Sequence, residues 1–435
     1  MSAAVETAEA LARRLSGARG WRLVANSVYS VDVGMDDNKL CGHYRPPRAT
    51  GEITGSVFII WEDGTVSRGR IDSKTLSRLP RDIELWRSLA YRDDDAAQIA
   101  GLMPPTQVEL FDPRVADIVT GDSGPVFEAV AQIAEAARES GADVIDAGVG
   151  CSAVETVIAT SSGLWVKYPE TNVWCSWGID KAMSGIRLGR DRETLAALPR
   201  AVCATGRLAL AAKARARVDA RDMRVILTPR VVESFIGHYI LHNMAGENVA
   251  EGRSRYSPEQ FRERARVFRD DVSLIVDTAV PMGPGSHLCT SEGIPSGRAA
   301  LIEDGHLAAP ILNMKYARRC KMAPTPVPAG GMPPGHAGLT LRAESSESWA
   351  QLLAGADDAI LVDSVLGMHT QDPTTGDFSL AVPDGIVMRA GQFAGAAKVV
   401  ISGSFLNAMN EVDTRFALSE DDPNPGIELT CHVES

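Results

Sequence analysis

Apolar residues in the first part of the chain follow helical and strand periods in turn. Helical spacing between residues 3 and 18 predicts an amphipathic helix, and a longer one is predicted over 125–141, where Gly141 marks its end. Alternating positions in 21–34 and 55–72 predict strands, the second pair joined by a turn at 62–64. Further elements are predicted as polar helix at 74–98, strands within 142–180 and a helix over 194–218 that Pro199 interrupts.

The pattern changes near residue 220. A buried strand at 223–229 runs into a helix, and beyond it short strands dominate, with Asp-Gly turns predicted at 304–305 and 384–385. Gly and Pro concentrate between 280 and 340. Within that region, 324–338 is predicted to be a loop over a site or interface, with a plain disordered loop as the alternative. The predicted class is α+β, with an N-terminal α/β domain (1–220) and a C-terminal, mostly antiparallel β-rich domain (221–435).

Composition narrows the classes of function. The chain is 45% hydrophobic and 23% charged, which is ordinary globular composition, and its net charge of −12 argues against broad nucleic-acid binding. The N-terminus has no signal-type apolar core, and no run reaches the roughly 18 apolar residues of a membrane span, so no membrane association is expected. The seven cysteines are scattered without CxxC pairs, which favours reduced thiols in a cytoplasm.

The helix after residue 229 carries the first candidate chemistry. His238 and His242 are four residues apart, so they share a face and are weak candidates to hold one metal ion. The zinc-peptidase pattern H-E-x-x-H places a general-base glutamate after the first histidine, and here that position holds Tyr239. A third ligand would come from His287 or Cys289. The alternative is an ordinary packed helix.

Other catalytic motifs have little support. No G-x-S-x-G elbow occurs, and Cys151, Cys175 and Cys289 lie outside any cysteine-hydrolase signature. The Gly-rich segments lack the Lys-Ser/Thr of a P-loop and the full G-x-G-x-x-G of a dinucleotide site. In "SEGIPSGRAALIEDGHL", Glu292 is a candidate substrate-binding acid, although a structural turn explains the same residues.

Five C-terminal segments, taken together, resemble the TldD/PmbA family. They are "MRVILTPRVVESFIGH", "VSLIVD", "SEGIPSGRAALIEDGHL", "GDFSLAVPDGIVMRAGQF" and "VVISGSFLNAMNEV", in the order that the family shows. The N-terminal half fits in architecture but carries weak motifs. The resemblance implies two-subunit peptidases in which a TldD-type subunit binds zinc through an H-E-x-x-x-H helix and a late cysteine. A TldE-type subunit of the same fold lacks those ligands and pairs with it.

This sequence departs from the zinc-bearing pattern. In the family register the first histidine position holds Glu233, the glutamate position holds Ser234, and His238 alone is retained. The late cysteine is expected within "DTRFALSEDDPNPG", which has none, and Cys431 follows in the predicted last strand. One imidazole cannot hold zinc tightly, since protein zinc sites use at least three protein ligands.

The resemblance therefore predicts a non-catalytic TldE-like subunit with no cofactor of its own. It implies a TldD-like partner carrying the zinc, a peptide or peptide-like substrate, and a role that extends to natural-product biosynthesis. His287 and Glu292 are substrate-cleft candidates, and partner or cleft contacts are expected in 280–340. Two alternatives stay open: an autonomous metallohydrolase using His238 and His242, and a non-enzymatic, peptide-binding homodimer.

Overall fold

Long antiparallel strands form the first of three sheets. The computed structural model describes residues 2–42, 46–328, 338–420 and 422–434, so 329–337 of the predicted loop lie outside the described residues. The strands of the first sheet are β1 (Gly20–Asp36), β2 (Lys39–Leu40), β3 (Arg48–Ile60), β4 (Thr65–Asp72), β5 (Tyr91–Arg92), β6 (Ile145–Thr160), β7 (Trp165–Ile179) and β8 (Met183–Gly189). Their order is β5-β4-β3-β1-β6-β7-β8, with β2 paired to β1, so β8 is an edge strand.

Six helices accompany this sheet in the described part of the N-terminal half. They are α1 (Ala3–Arg14), α2 (Thr75–Ser88), α3 (Pro113–Thr120), α4 (Gly124–Glu139), α5 (Glu193–Ala196) and α6 (Leu198–Ala212). The apolar stripe of α4 is buried as predicted, and Gly141 follows the helix with φ +83°, a conformation that suits glycine. Helix α2 ends at Ser88, so the predicted helix over 74–98 is too long.

The stretch Glu193–Ala212 is the one segment of the described chain whose length and apolar composition match a membrane-crossing helix. In the fold it consists of α5 and α6, which meet at Ala197 beside Pro199. Leu198 and Val202 on α6 are buried in the core. Core helices of globular proteins meet the same composition criterion, so length and composition alone do not assign a membrane to this stretch.

The C-terminal half holds the other two sheets. Its strands are β9 (Arg221–Leu227), β10 (Val272–Asp277), β11 (Arg298–Glu303), β12 (His306–Leu307), β13 (Leu339–Ala343), β14 (Glu347–Ser348), β15 (Ala359–Val362), β16 (Asp377–Arg389), β17 (Gln392–Ser404), β18 (Arg415–Leu418) and β19 (Gly426–Glu434). One sheet has the order β12-β11-β10-β13, and the other has the order β14-β18-β19-β17-β16-β15-β9. An additional pairing of β19 with β9 closes five of these strands into a ring. Most pairs are antiparallel, and the predicted α+β class is confirmed.

Short helices connect the strands of this half. They are α7 (Pro229–Phe235), α8 (His242–Met244), α9 (Gly246–Glu251), α10 (Pro258–Arg262), α11 (Met314–Cys320), α12 (Trp349–Ala354) and α13 (Phe405–Ala408). A π-helical turn (Ile236–Leu241) lies between α7 and α8, and a 3₁₀ turn spans Met368–Thr370.

The predicted hairpin turn at Asp384-Gly385 is wrong. These residues lie inside β16, where the register with β17 shifts between Val382 and Gly385. The chain reverses instead at Ala390 and Gly391, which have φ of +46° and +72°. Asp384 pairs with Arg215 at 2.7 Å, so its carboxylate serves an ion pair rather than a turn. Asp304-Gly305, by contrast, does form the turn between β11 and β12.

The two halves share a hydrophobic core and a buried arginine. One continuous apolar cluster includes Ile133 of α4, Val202 of α6, and Leu361 and Ile386 of the third sheet. Arg190, only 4% exposed, follows β8 and donates to β7 and to the Gly/Pro-rich loop after β10. Its acceptors are Glu170 Oε2 (3.0 Å), Thr171 O (3.2 Å), Asn172 Oδ1 (3.1 Å), Gly283 O (2.8 Å), Pro284 O (3.2 Å) and Ser286 O (2.8 Å).

We predict that Arg190→Met destabilises the protein by about 3–5 kcal/mol, because it leaves Glu170 and several buried carbonyl groups without their donor. The measurement is the free energy of unfolding from urea titration. Arg192→Met is the matched control, since that side chain is exposed and lies two residues away. Equal unfolding midpoints for the two variants would contradict the assigned role of Arg190.

Candidate functional site

The helix after β9 is held in the core by its apolar face. Pro229 stands at its first position, where a missing N–H costs nothing. The side chains of Val232, Phe235 and Tyr239 are fully buried. The Phe235 ring packs edge-on against Phe378 at 5.1 Å between centroids, and the Phe405 ring lies at 5.0 Å. These aromatic contacts fix the rotation of the helix about its axis.

A π-helical turn interrupts this helix at Ile236–Leu241. Asn243, which is fully buried, donates through Nδ2 to the carbonyl of Tyr239 at 2.8 Å and to that of Pro373 at 2.9 Å. Its Oδ1 accepts from the backbone N–H of Arg255 at 2.7 Å. The amide side chain thereby supports backbone groups next to the irregular turn. Such π turns are frequent at functional sites, because they change which side chains share a face.

Glu233 lies on the side of the helix that faces a large cavity. Its Oε1 accepts a hydrogen bond from Asn424 Nδ2 at 3.2 Å. Burial raises the pKa of the Glu233 carboxyl, Asp422 raises it further, and the bond from Asn424 opposes the rise. The neighbouring Ser234 is exposed and donates to the Arg230 carbonyl within its own helix at 3.2 Å. The Glu233 carboxyl is therefore already hydrogen-bonded to Asn424, in the loop before β19.

His238 and His242 line a second cavity of about 590 Å³. His238 Nε2 lies 3.2 Å from the Gln371 carbonyl, and its ring packs edge-on against Tyr239 at 4.7 Å. His242 Nε2 lies 3.4 Å from the Arg253 carbonyl, while its Nδ1 lies 3.3 Å from Asn248 Nδ2. Burial lowers the pKa of His242, which favours the neutral ring. The two predicted histidines thus line one cavity, where their ring nitrogens already lie beside protein groups.

These residues do not fit a zinc site. Glu233 and His238, which stand at the family's histidine positions, line different cavities. Within the described ranges, no group of three or more His, Cys, Asp or Glu side chains is arranged to hold a metal ion. Throughout the full sequence, no histidine is followed by glutamate, so neither H-E-x-x-H nor H-E-x-x-x-H occurs. The donors that remain are too few for the three protein ligands that zinc sites use.

The other candidates lie away from both cavities. His287 has Nδ1 3.3 Å from the Gly285 carbonyl, and burial lowers its pKa. Cys289 is buried, which raises the pKa of its thiol to about 11. Cys431 is likewise buried, in β19, where its thiol pKa rises to about 12. A thiol held protonated by burial is a poor nucleophile and a poor metal ligand.

Glu292 joins the two halves of the molecule. Its Oε1 pairs with Arg22 of β1 at 2.6 Å, and its Oε2 accepts from the Met314 N–H at 2.7 Å, at the start of α11. The Arg22 guanidinium also lies over the Phe58 ring at 4.1 Å. Glu292 and Arg22 line a small cavity of about 190 Å³. Since both oxygens of Glu292 are engaged, the carboxylate acts within the fold, and its predicted role toward substrate stays a prediction.

The large cavity, of about 980 Å³, was not foreseen from the sequence. It lies between the halves, bounded by β8 and α6 on one side and by α7, α12 and the loop after β18 on the other. Its apolar walls are Trp177, Ile186, Leu188, Leu208, Trp349, Leu353, Leu361 and Phe393. Arginines and acidic residues from both halves complete the lining. No motif signals these residues, because they are scattered between Trp177 and Pro423 and meet only in the fold.

A known protein family matches most of the C-terminal half. Residues 220–421 match the family described as PmbA/TldA metallopeptidase C-terminal domain. An uncharacterized protein of Methanocaldococcus jannaschii is 21% identical over 190 residues, which are 43% of this chain and 44% of that protein, so the chain spans less than half of that relative.

Solved structures share the fold over the whole chain. TldE from Thermococcus kodakarensis has a TM-score of 0.82 at 14% identity, covering 99% of this chain and 100% of its own. A candidate modulator of DNA gyrase from Thermotoga maritima has a TM-score of 0.74 at 17% identity, with 99% of each chain covered. A similar protein from Bacteroides thetaiotaomicron has a TM-score of 0.73 at 14% identity, covering 99% of this chain and 98% of its own. Identities this low establish the common fold alone.

We predict that Glu233→Gln raises the melting temperature at pH 8 more than at pH 5. A carboxyl whose folded pKa is raised stabilises the fold while it is protonated and loses that contribution as the pH rises through the folded pKa. Glutamine keeps the acceptor for Asn424 without a buried charge. Thermal unfolding at both pH values measures the effect, with the exposed Glu128→Gln as control. An equal or lower melting temperature at pH 8 would contradict the prediction.

Proposed function

This chain belongs to the TldD/PmbA family, and on that premise we propose that it is the non-catalytic, TldE-like subunit of a two-subunit zinc peptidase. The partner, a TldD-like chain with an intact H-E-x-x-x-H helix, carries the zinc and the general base. This chain completes the cleft in which a peptide or peptide-like substrate is held. The observation that carries the proposal is the composition of the helix after β9, where Glu233 and Ser234 stand in place of His and Glu.

The contacts of these residues support a role without metal. Asn424 comes from the loop where the family's late cysteine is expected, and it bonds to Glu233 directly. A carboxyl and an amide thus meet where the zinc-bearing subunit would place two metal ligands. The Ser234 hydroxyl donates to the backbone of its own helix. A serine at this position offers no carboxylate to take a proton from water. The fold of the site is kept while its donors are replaced.

The alternative of an autonomous metallohydrolase has weaker support. His238 and His242 share a cavity, but His242 has both ring nitrogens near protein groups, and a carbonyl lies against His238 Nε2. The one carboxylate among the described residues that line this cavity is Glu247, and it is already paired with Arg253 at 2.6 Å. A metal ion there would need ligands that the described residues do not supply.

A non-catalytic subunit still has a physical task. Two subunits of one fold can bury a peptide between them, which excludes bulk water and keeps folded proteins out of the site. The large cavity of this chain, open between its halves, is suited to hold the part of the substrate that lies away from the zinc. Its apolar and charged walls would then select the substrate, while the partner performs the hydrolysis. We extend the same expectation to peptide-like natural products.

The proposal is tested by reconstitution. We predict that this chain alone does not hydrolyse peptides, and that mixing it with a TldD-type protein of the same genome gives peptidase activity that a chelator removes and zinc restores. Exchanging the glutamate of the partner's H-E-x-x-x-H motif for glutamine should abolish the activity without preventing assembly. Size-exclusion chromatography with light scattering measures the assembly.

Matched variants of this chain separate the alternatives. Ser234→Ala and His238→Ala should leave kcat of the reconstituted pair unchanged, since neither residue is assigned to the reaction. Zinc-dependent hydrolysis by this chain alone, lost in His238→Ala, would instead establish the autonomous metallohydrolase. A stable self-dimer that binds peptides and ignores the TldD-type protein would establish the homodimer alternative.

A further inference from the structure

The large cavity has the size and lining of a ligand site. Its volume of about 980 Å³ lies at the upper end of the range for small-molecule and peptide sites, roughly 300–1,000 Å³. Two tryptophans face it from opposite halves, Trp177 of β7 and Trp349 of α12, and Phe393 of β17 adds a third ring. Such rings supply large apolar contact areas at low entropic cost. The cavity therefore suits a ligand with apolar side chains.

Its described lining has equal numbers of arginines and acidic residues, but they are not all paired with one another. The arginines among its described lining residues are Arg187, Arg200, Arg207 and Arg230, and the acidic residues are Glu233, Asp363, Glu420 and Asp422. Two pairs are internal: Arg200 with Glu420 at 2.9 Å and Arg230 with Asp363 at 2.9 Å. Glu233 accepts from Asn424 and is biased toward its protonated form by burial, and Asp422 has a partner of its own.

Arg187 and Arg207 are the two lining arginines without a partner among the described residues. In the portion of the chain that the structure describes, neither guanidinium has an ion pair or a hydrogen bond to a protein group. Arg187 is half-buried on the edge strand β8, and Arg207 is exposed on α6, so they approach the cavity from neighbouring elements. No Arg187 nitrogen is fully buried in the described structure, so its donors stay open to the cavity and have no acceptors among the described residues. An anionic ligand would supply them.

We propose that the large cavity binds a peptide through a carboxylate held by Arg187 and Arg207, with apolar side chains of the peptide against Trp177 and Trp349. This inference rests on the proposed function only for the ligand being a peptide. A guanidinium matches a carboxylate in a planar, two-pronged geometry that a lysine ammonium cannot reproduce. The carboxylate is either the C-terminus of the peptide or an acidic side chain. Peptides that carry only positive charge are disfavoured by the same two arginines.

The test is isothermal titration of the full chain with four versions of one apolar decapeptide. They combine a free or amidated C-terminus with glutamate or glutamine at one internal position. We expect the doubly neutral version to bind at least about ten-fold more weakly than the version that carries the recognised carboxylate. The pair of versions that differs most identifies which carboxylate the arginines hold. Equal affinities for all four, or no binding of any, would overturn the inference.

Variants tie the effect to the two arginines. Arg187→Gln and Arg207→Gln should each abolish most of the preference for the carboxylate and leave the affinity for the doubly neutral peptide nearly unchanged. Arg207 is exposed, so its variant keeps the test valid if Arg187→Gln unfolds. Arg81→Gln, an exposed arginine on α2, is the matched control and should keep the full preference. A preference that survives in Arg207→Gln would overturn the inference.

This experiment is independent of the zinc-bearing partner. Binding is measured on this chain alone, whereas the proposed function is measured by reconstitution of peptidase activity. A carboxylate preference without reconstitution would support the cavity assignment and reject the two-subunit peptidase. Reconstituted activity without any preference would keep the peptidase and reject the carboxylate site.

Discussion

One buried helix, from Pro229 to Met244, sets which of its side chains reach each of the two cavities beside it. The segment from Pro229 to Met244 is fixed in rotation by Phe235, which packs against Phe378 and Phe405 in the third sheet. The π turn at its centre, supported by Asn243, then sends the following side chains to a different face. Glu233 points into the large cavity, and His238 lines another. Each side chain has protein partners on its own side of the helix: Asn424 for Glu233 and the Gln371 carbonyl for His238.

The cavities follow from how the two halves meet. Arg190 ties β7 to the loop after β10, and the pair of Arg22 with Glu292 ties β1 to the start of α11. The shared apolar cluster between α4, α6 and the third sheet fills most of the space between them. The space left at the edge of β8 is the large cavity. Its lining therefore combines residues from both halves, such as the Arg200–Glu420 pair that joins them. It also includes Arg187 and Arg207, for which the described residues supply no ion pair.

Much of the fold could be predicted from periodicity. The helices α1 and α4, the β3–β4 hairpin and the break before α6 follow from local patterns that tertiary contacts reinforce. The turn predicted at Asp384-Gly385 was wrong because these residues fall at a register shift inside β16, and the chain reverses at Ala390-Gly391 instead. The resemblance to the family placed Glu233 at the first histidine position of the H-E-x-x-x-H motif. The contact with Asn424 and the role of Glu292 as a link between halves depend on residues far apart in the chain, where local sequence carries no information.

The central claim is that a substrate cleft is completed by this chain while another subunit carries the metal. The most direct measurement is anomalous scattering at the zinc absorption edge from crystals of the reconstituted pair. The account predicts one zinc per pair, located on the partner's H-E-x-x-x-H helix, with Glu233 still bonded to Asn424 in this chain. A zinc peak bound by Glu233 or His238, or between His238 and His242, would contradict it.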